Sequence, residues 1–125
     1  MRLLIDSHAL LWWLEGGERL STEAREAIMS RHNEVAVSVA SLWELAIKQS
    51  LGKLRIDADL REHVRYNNFA ELPVLGEHAS AVRTLPRHHG DPFDRLLIAQ
   101  ARCEGLTLVT RDRHLASYDV PVLKA

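Results

Sequence analysis

Four acidic residues stand where a strand hands over to a helix or where a helix begins: Asp6 after RLLI, Glu44 in SLWEL, Asp94 in GDPFDRLLIAQA and Asp112 after LTLVTR. Each also has a purely structural use. Asp6 can cap the helix that follows it, as can Ser7. Ser41-Leu42-Trp43-Glu44 fits a capping box, in which the Glu44 carboxylate reaches back to the Ser41 backbone N–H. Outside such a box, Glu44 sits among Trp43, Leu45, Ala46 and Ile47 and needs a charged or hydrogen-bonding partner. Asp91 before Pro92 suits the N-cap of a helix, and Asp94 in its first turn favours the dipole. One cap is enough, so Asp94 is free to point toward a sheet edge. Asp112 can cap a short helix running through Tyr118.

Gathered at one sheet edge, carboxylates from separate elements would repel by roughly 4 kcal/mol per close pair at an effective dielectric near 20. The natural counter-charge is a hard divalent cation such as Mg²⁺ or Mn²⁺, which takes oxygen ligands. Such a cation activates water and neutralises charge on a phosphate, so phosphodiester hydrolysis needs no protein nucleophile. On this reading Asp6 and Asp94 are direct ligands. Glu44 and Asp112, each with a capping alternative, act through water or by supporting the ligands. The histidines offer no rival site: His88 and His89 are adjacent rather than at helical metal spacing, and His8, His32, His63, His78 and His114 are scattered and expected mostly at the surface. No G-x-S-x-G, Walker loop, Rossmann glycine fingerprint or H-E-x-x-H occurs.

The elements that must position these acids alternate between two patterns. Residues 2–6, 34–38 and 106–110 are short apolar, β-branched runs of the kind buried inside a sheet. Residues 71–74 and 120–123 are weaker strands because each contains a proline. Helices are predicted after a cap at Ser21 or Thr22, over 39–51 ending at Gly52, over 59–69 and 77–85, and from Asp91 to Gly105 with Pro92 in the first turn. Cys103 in that last helix reads as a small core residue. The alternation predicts an α/β chain, a three-layer α/β/α single domain over residues 1–125 with a parallel sheet covered on both faces. Ligands of such folds sit beyond the carboxyl ends of the strands, where Asp6 and Asp112 fall.

Composition narrows the partners. The 125 residues carry 16 Lys plus Arg against 17 Asp plus Glu, so no global basic field draws nucleic acid and any contact is local. One cysteine excludes an intramolecular disulfide and a cysteine zinc cluster. The opening apolar run is broken by Asp6 and His8, which argues against a signal peptide, and no stretch is long enough to span a membrane. A cytoplasmic protein is expected.

LLIDSHALLWWL, SVASLWELAIKQSLGKL, DPFDRLLIAQA and GLTLVTRD, in that order and over nearly the whole chain, resemble the PIN-domain family and within it the VapC-type toxins of toxin–antitoxin pairs. The resemblance implies a parallel sheet with helices on both sides and an acidic site corresponding to Asp6, Glu44, Asp94 and Asp112, with Asp91 the alternative to Asp94 if the register is displaced. It also implies Mg²⁺- or Mn²⁺-dependent endoribonuclease activity on RNA, a homodimer and inhibition by a cognate antitoxin protein. Trp12 and Trp13, and Arg83, Arg87, Arg95, Arg111 and Arg113 near the acids, are compatible with such surfaces, though the tryptophans also suit a core and the arginines also suit solvated helix ends. A receiver-like Mg-binding module lacks its paired acids on the first strand here, and a non-catalytic PIN-like RNA-binding module would not need four intact acids.

Overall fold

The computed structural model describes residues 1–56 and 58–125. Strand β1 (Arg2–Ile5) is buried on both faces from Leu3 onward, which is why it reads as an unbroken apolar run. It is followed by α1 (Ser7–Leu14), α2 (Thr22–Met29), β2 (Glu34–Ser38), α3 (Val39–Ser50), α4 (Leu60–Tyr66), β3 (Ala70–Leu72), α5 (Gly76–Ala81), α6 (Pro92–Glu104), β4 (Thr107–Thr110) and β5 (Val122–Lys124). Short 3₁₀ turns lie at Val82–Thr84 and Leu115–Ser117. The strands form one parallel sheet in the order β3-β2-β1-β4-β5.

This order sets the site. From β1 the chain builds outward through β2 and β3, then returns past β1 to lay down β4 and β5 on the other side. Strand order therefore reverses between β1 and β4, and the helices diverging there leave a crevice at the strands' carboxyl ends. Asp6 follows β1 and Asp112 lies just beyond β4, so both fall at this crevice.

Side chains alternate across the sheet into two cores. On one face Leu3, Ile5, Val35, Val37 and Val109 pack with Leu10, Ala24, Ile28, Leu42, Leu45 and Val64 from α1 to α4. On the other, Leu4 and Leu108 pack with Leu97, Ile98, Ala101 and Leu115. The three-layer α/β/α arrangement is thus produced by period-two strands between amphipathic helices.

The boundaries that differ from expectation have local causes. Strand β3 stops before Pro73, and β5 begins after Pro121, because a proline nitrogen cannot donate to a ladder. The helix expected over 77–85 splits into α5 and a 3₁₀ turn. Cys103 is exposed rather than core: α6 buries Leu97, Ile98, Ala99, Gln100 and Ala101, and turns Arg102 and Cys103 to solvent. His78 is fully buried instead of lying at the surface. Its Nδ1 accepts the Leu75 N–H at 3.0 Å, which puts the ring proton on Nε2, 3.4 Å from a Glu104 carboxylate oxygen on α6. The ring is fixed on α5 through Nδ1, while Nε2 is buried near Glu104 without a hydrogen-bond partner among the described residues. Its remaining nitrogen carries a proton and offers a metal no lone pair. Among the described residues no helix is long and apolar enough to cross a membrane.

Candidate active site

Asp6 is buried at the junction of β1 and α1, and one carboxylate oxygen accepts the Ala9 N–H at 2.8 Å. The capping use foreseen for it is real and occupies that oxygen. Burial raises its pKa. The Thr110 hydroxyl, the Ala9 amide and His8 pull it back, and Glu44 pushes it up again. The Thr110 hydroxyl also accepts the Asp112 N–H at 3.1 Å, which links the ends of β1 and β4.

Asp94 is carried on the first turn of α6. Asp91 caps that helix through the Phe93 and Asp94 amides at 2.8 and 3.2 Å, so the cap is filled and the Asp94 side chain is left for another use. Its Oδ2 lies 2.9 Å from His89 Nε2. Burial and the Asp91 charge push its pKa up, the His89 hydrogen bond recovers part, and the Glu44 charge adds to the rise, leaving it at about 6.

Asp112 uses its two oxygens differently. Oδ1 accepts the His114 N–H at 2.9 Å and faces His114 Nδ1 at 3.0 Å, starting the turn that leads into the 3₁₀ segment Leu115–Ser117. Oδ2 lies 3.8 Å from His89 Nε2. Burial alone would raise its pKa, but the hydrogen bonds from the His114 backbone and ring, with the electrostatic influence of His89 and His114, hold it below the ordinary carboxylate range. Glu44 is half-buried in the middle of α3. The capping box with Ser41 does not form, because β2 runs straight into α3 and Ser38 takes the N-cap three residues earlier, its hydroxyl accepting the Ala40 N–H at 3.0 Å. The Glu44 charge is felt at both Asp6 and Asp94.

The residue missed from sequence is His89. Its ring nitrogen and one oxygen each of Asp94 and Asp112 lie within 4.8 Å of one another. Asp6 is outside that trio. The loop presenting His89 is held through its backbone: the His89 N–H donates to the Tyr118 hydroxyl at 3.1 Å, and Arg95 donates to the carbonyls of Val82, Leu85, Pro86 and His89 and to the same hydroxyl. Arg95 is therefore committed to this loop and is not free for phosphate. Arg111 is likewise spent on the Ala125 and Arg19 carbonyls and lies 4.3 Å over the Trp12 ring, on the half-buried face of α1. Arg83, Arg87 and Arg113 are exposed.

The donor set fits a divalent cation. Burial and neighbouring carboxylates raise Asp6 and Asp94, so negative charge at the switch point is under-compensated by the chain itself. The trio's spacing puts donor atoms from a loop, α6 and the end of β4 around one point.

Residues 3–121 match the PIN domain family. Ribonuclease VapC22 of Mycobacterium tuberculosis is 37% identical over 126 residues, spanning 95% of this chain and 93% of the relative. VapBC2 of Rickettsia felis, solved bound to a promoter DNA fragment, superposes with a TM-score of 0.70 at 12% identity, covering 98% of both chains. A toxin–antitoxin complex from Klebsiella pneumoniae gives 0.67 at 19% identity over 98% of this chain and 96% of that one. FitAcB of Neisseria gonorrhoeae gives 0.66 at 20% identity over the same shares. At such identities the superpositions speak for the fold alone.

Proposed function

The chain belongs to the PIN domain family, and from that membership we propose that it is a Mg²⁺- or Mn²⁺-dependent endoribonuclease acting in the cytoplasm as the toxin of a toxin–antitoxin pair. One observation carries the reading: at the strand-order reversal Asp94 and Asp112 flank one point with His89, and the Glu44 charge is felt both at Asp94 and at Asp6. The RNA substrate is supported by the relative named a ribonuclease. The antitoxin partner is supported by the Klebsiella pneumoniae neighbour, solved as a toxin–antitoxin complex. A homodimer is part of the same proposal.

Bound among these acids, the cation supplies water activation and charge neutralisation at phosphorus. The chain's own residues bind and orient. Asp94 would hold the cation together with Asp112, a role that the trio's spacing supports in place of the supporting one expected from sequence, and Asp6, which lies outside the trio at the end of β1, would be the further acid of the set. Glu44, whose charge reaches both Asp6 and Asp94, would accept a hydrogen bond from a water in the crevice and orient it. Thr110 keeps the two strand ends in register through its bonds to Asp6 and Asp112.

Purified chain incubated with total RNA should cleave in Mg²⁺ or Mn²⁺ and stop in chelator, and Asp6→Asn and Asp94→Asn should abolish cleavage while remaining folded. Unchanged cleavage by folded Asp6→Asn protein sinks the mechanism. Expression should arrest growth and co-expression of a neighbouring antitoxin gene should relieve it; sequencing the cleaved ends identifies the RNA.

A further inference from the structure

We propose that His89 is a nitrogen ligand of the cation held by Asp94 and Asp112, and that it biases the site toward Mn²⁺ and other first-row transition ions over Mg²⁺. The inference rests on the cation reading above and adds a donor that acids alone do not supply.

The geometry is that of a ligand set. His89 Nε2 is 2.9 Å from Asp94 Oδ2 and 3.8 Å from Asp112 Oδ2. Two donors bonded to one ion at about 2.1 Å stand about 3.0 Å apart at a right angle and about 3.4 Å apart at a tetrahedral one. The observed separations bracket those values, so an ion enters with small side-chain adjustments.

The ring is also free to change tautomer. Among the described residues its hydrogen bonding runs through Nε2 alone, so the proton now facing Asp94 can reside on Nδ1 and leave the Nε2 lone pair for a metal.

His89 is fixed as a functional side chain needs to be. Its amide and carbonyl are held by Tyr118 and Arg95, and its ring stacks on His114 with centroids 5.0 Å apart and planes 15° apart. His114 is itself tied to Asp112. A surface histidine that merely solvates a loop has no use for a buried tyrosine hydroxyl and an arginine clamp behind its backbone. Imidazole is a better match to Mn²⁺ than to Mg²⁺, which keeps to oxygen and water. A mixed nitrogen and carboxylate set is therefore selective where an all-carboxylate set is not.

The test uses the intact chain, Mn²⁺ alone and no RNA. Pulsed electron paramagnetic resonance reads the nitrogen hyperfine coupling of an imidazole bonded to Mn²⁺, and calorimetry gives Mn²⁺ and Mg²⁺ affinities. The expected result is a nitrogen coupling in the native chain that is kept in His114→Ala and lost in His89→Ala. Mn²⁺ affinity should fall by about tenfold or more in His89→Ala, since removing even a ligand's supporting partner costs roughly 10–100-fold, with little change for Mg²⁺. Mn²⁺ bound without nitrogen coupling overturns the proposal and leaves the acid-site reading standing. So does a His89→Ala variant that binds both ions more tightly, because His89 would then be a competing cation. A native chain that binds neither ion overturns both.

Discussion

Asp94→Asn should make the metal-free protein more stable at neutral pH, although it removes a residue of the site. The carboxyl is held at about 6 against an ordinary 3.8. A raised acid is one whose ionised form the fold disfavours, so the native state binds more protons than the unfolded chain between these values and stability falls as pH rises through that window. The full displacement corresponds to at most about 3 kcal/mol. The side chain is 20% exposed, and solvent screening reduces this to roughly 1–2 kcal/mol. Asparagine removes the charge while keeping an oxygen for His89. For a chain of this size the gain is about 4–8 °C in Tm at pH 7.5. Scanning calorimetry of both proteins in metal-free buffer should show curves that coincide near pH 3.5, separate between about pH 4 and 6.5, and run parallel above. Adding Mn²⁺ at 100 times its Kd should then stabilise the native chain by about 2.7 kcal/mol and reverse the order. The variant should not respond. An Asp94→Asn protein that is less stable than the native chain at pH 7.5 without metal, or a difference that does not change with pH, refutes the claim that this carboxylate is under-compensated.

Asp112→Asn should have the opposite sign: Asp112 is held below the ordinary range by His114 and His89, so its contribution is present above about pH 4 and lost on acidification, and the variant should melt lower than the native chain at pH 7. Asp6→Asn and Asp6→Ala should both abolish RNA cleavage, but asparagine preserves the α1 cap whereas alanine should cost about 1 kcal/mol in urea unfolding. Tyr118→Phe removes the acceptor for the His89 amide and one Arg95 donor, so it should cost about 1–3 kcal/mol and broaden the His89 ring resonances in NMR; a sharp, unshifted His89 signal would show that the loop is held by other means.

Much of this arrangement was legible in the sequence. β1 and β2 declared themselves because strands buried on both faces need unbroken apolar side chains, and α6 because Asp91, Pro92 and the left-handed Gly105 mark its two ends. Glu44 was harder. A serine three residues before a glutamate has the form of a helix start, but here β2 passes into α3 without a turn, and Ser38 caps the helix before Ser41 is reached. His89 gave less signal still. What holds it is a tyrosine hydroxyl 29 residues away and an arginine whose chain neighbours suggested a phosphate contact. The one local sign was its place two residues before the cap of the helix that carries Asp94.

Capping and metal binding looked like competing explanations for the same acids, and the geometry shows why they are compatible. A carboxylate has two oxygens. Asp112 gives one to the His114 amide, which leaves the other facing His89, and Asp6 gives one to the Ala9 amide at the mouth of the crevice. Asp91 fills the α6 cap completely and so frees its neighbour Asp94. For Asp6 and Asp112 the cap restrains the rotamer and leaves a second oxygen for another partner, whereas Asp94, relieved of capping by Asp91, is restrained instead by its contact with His89.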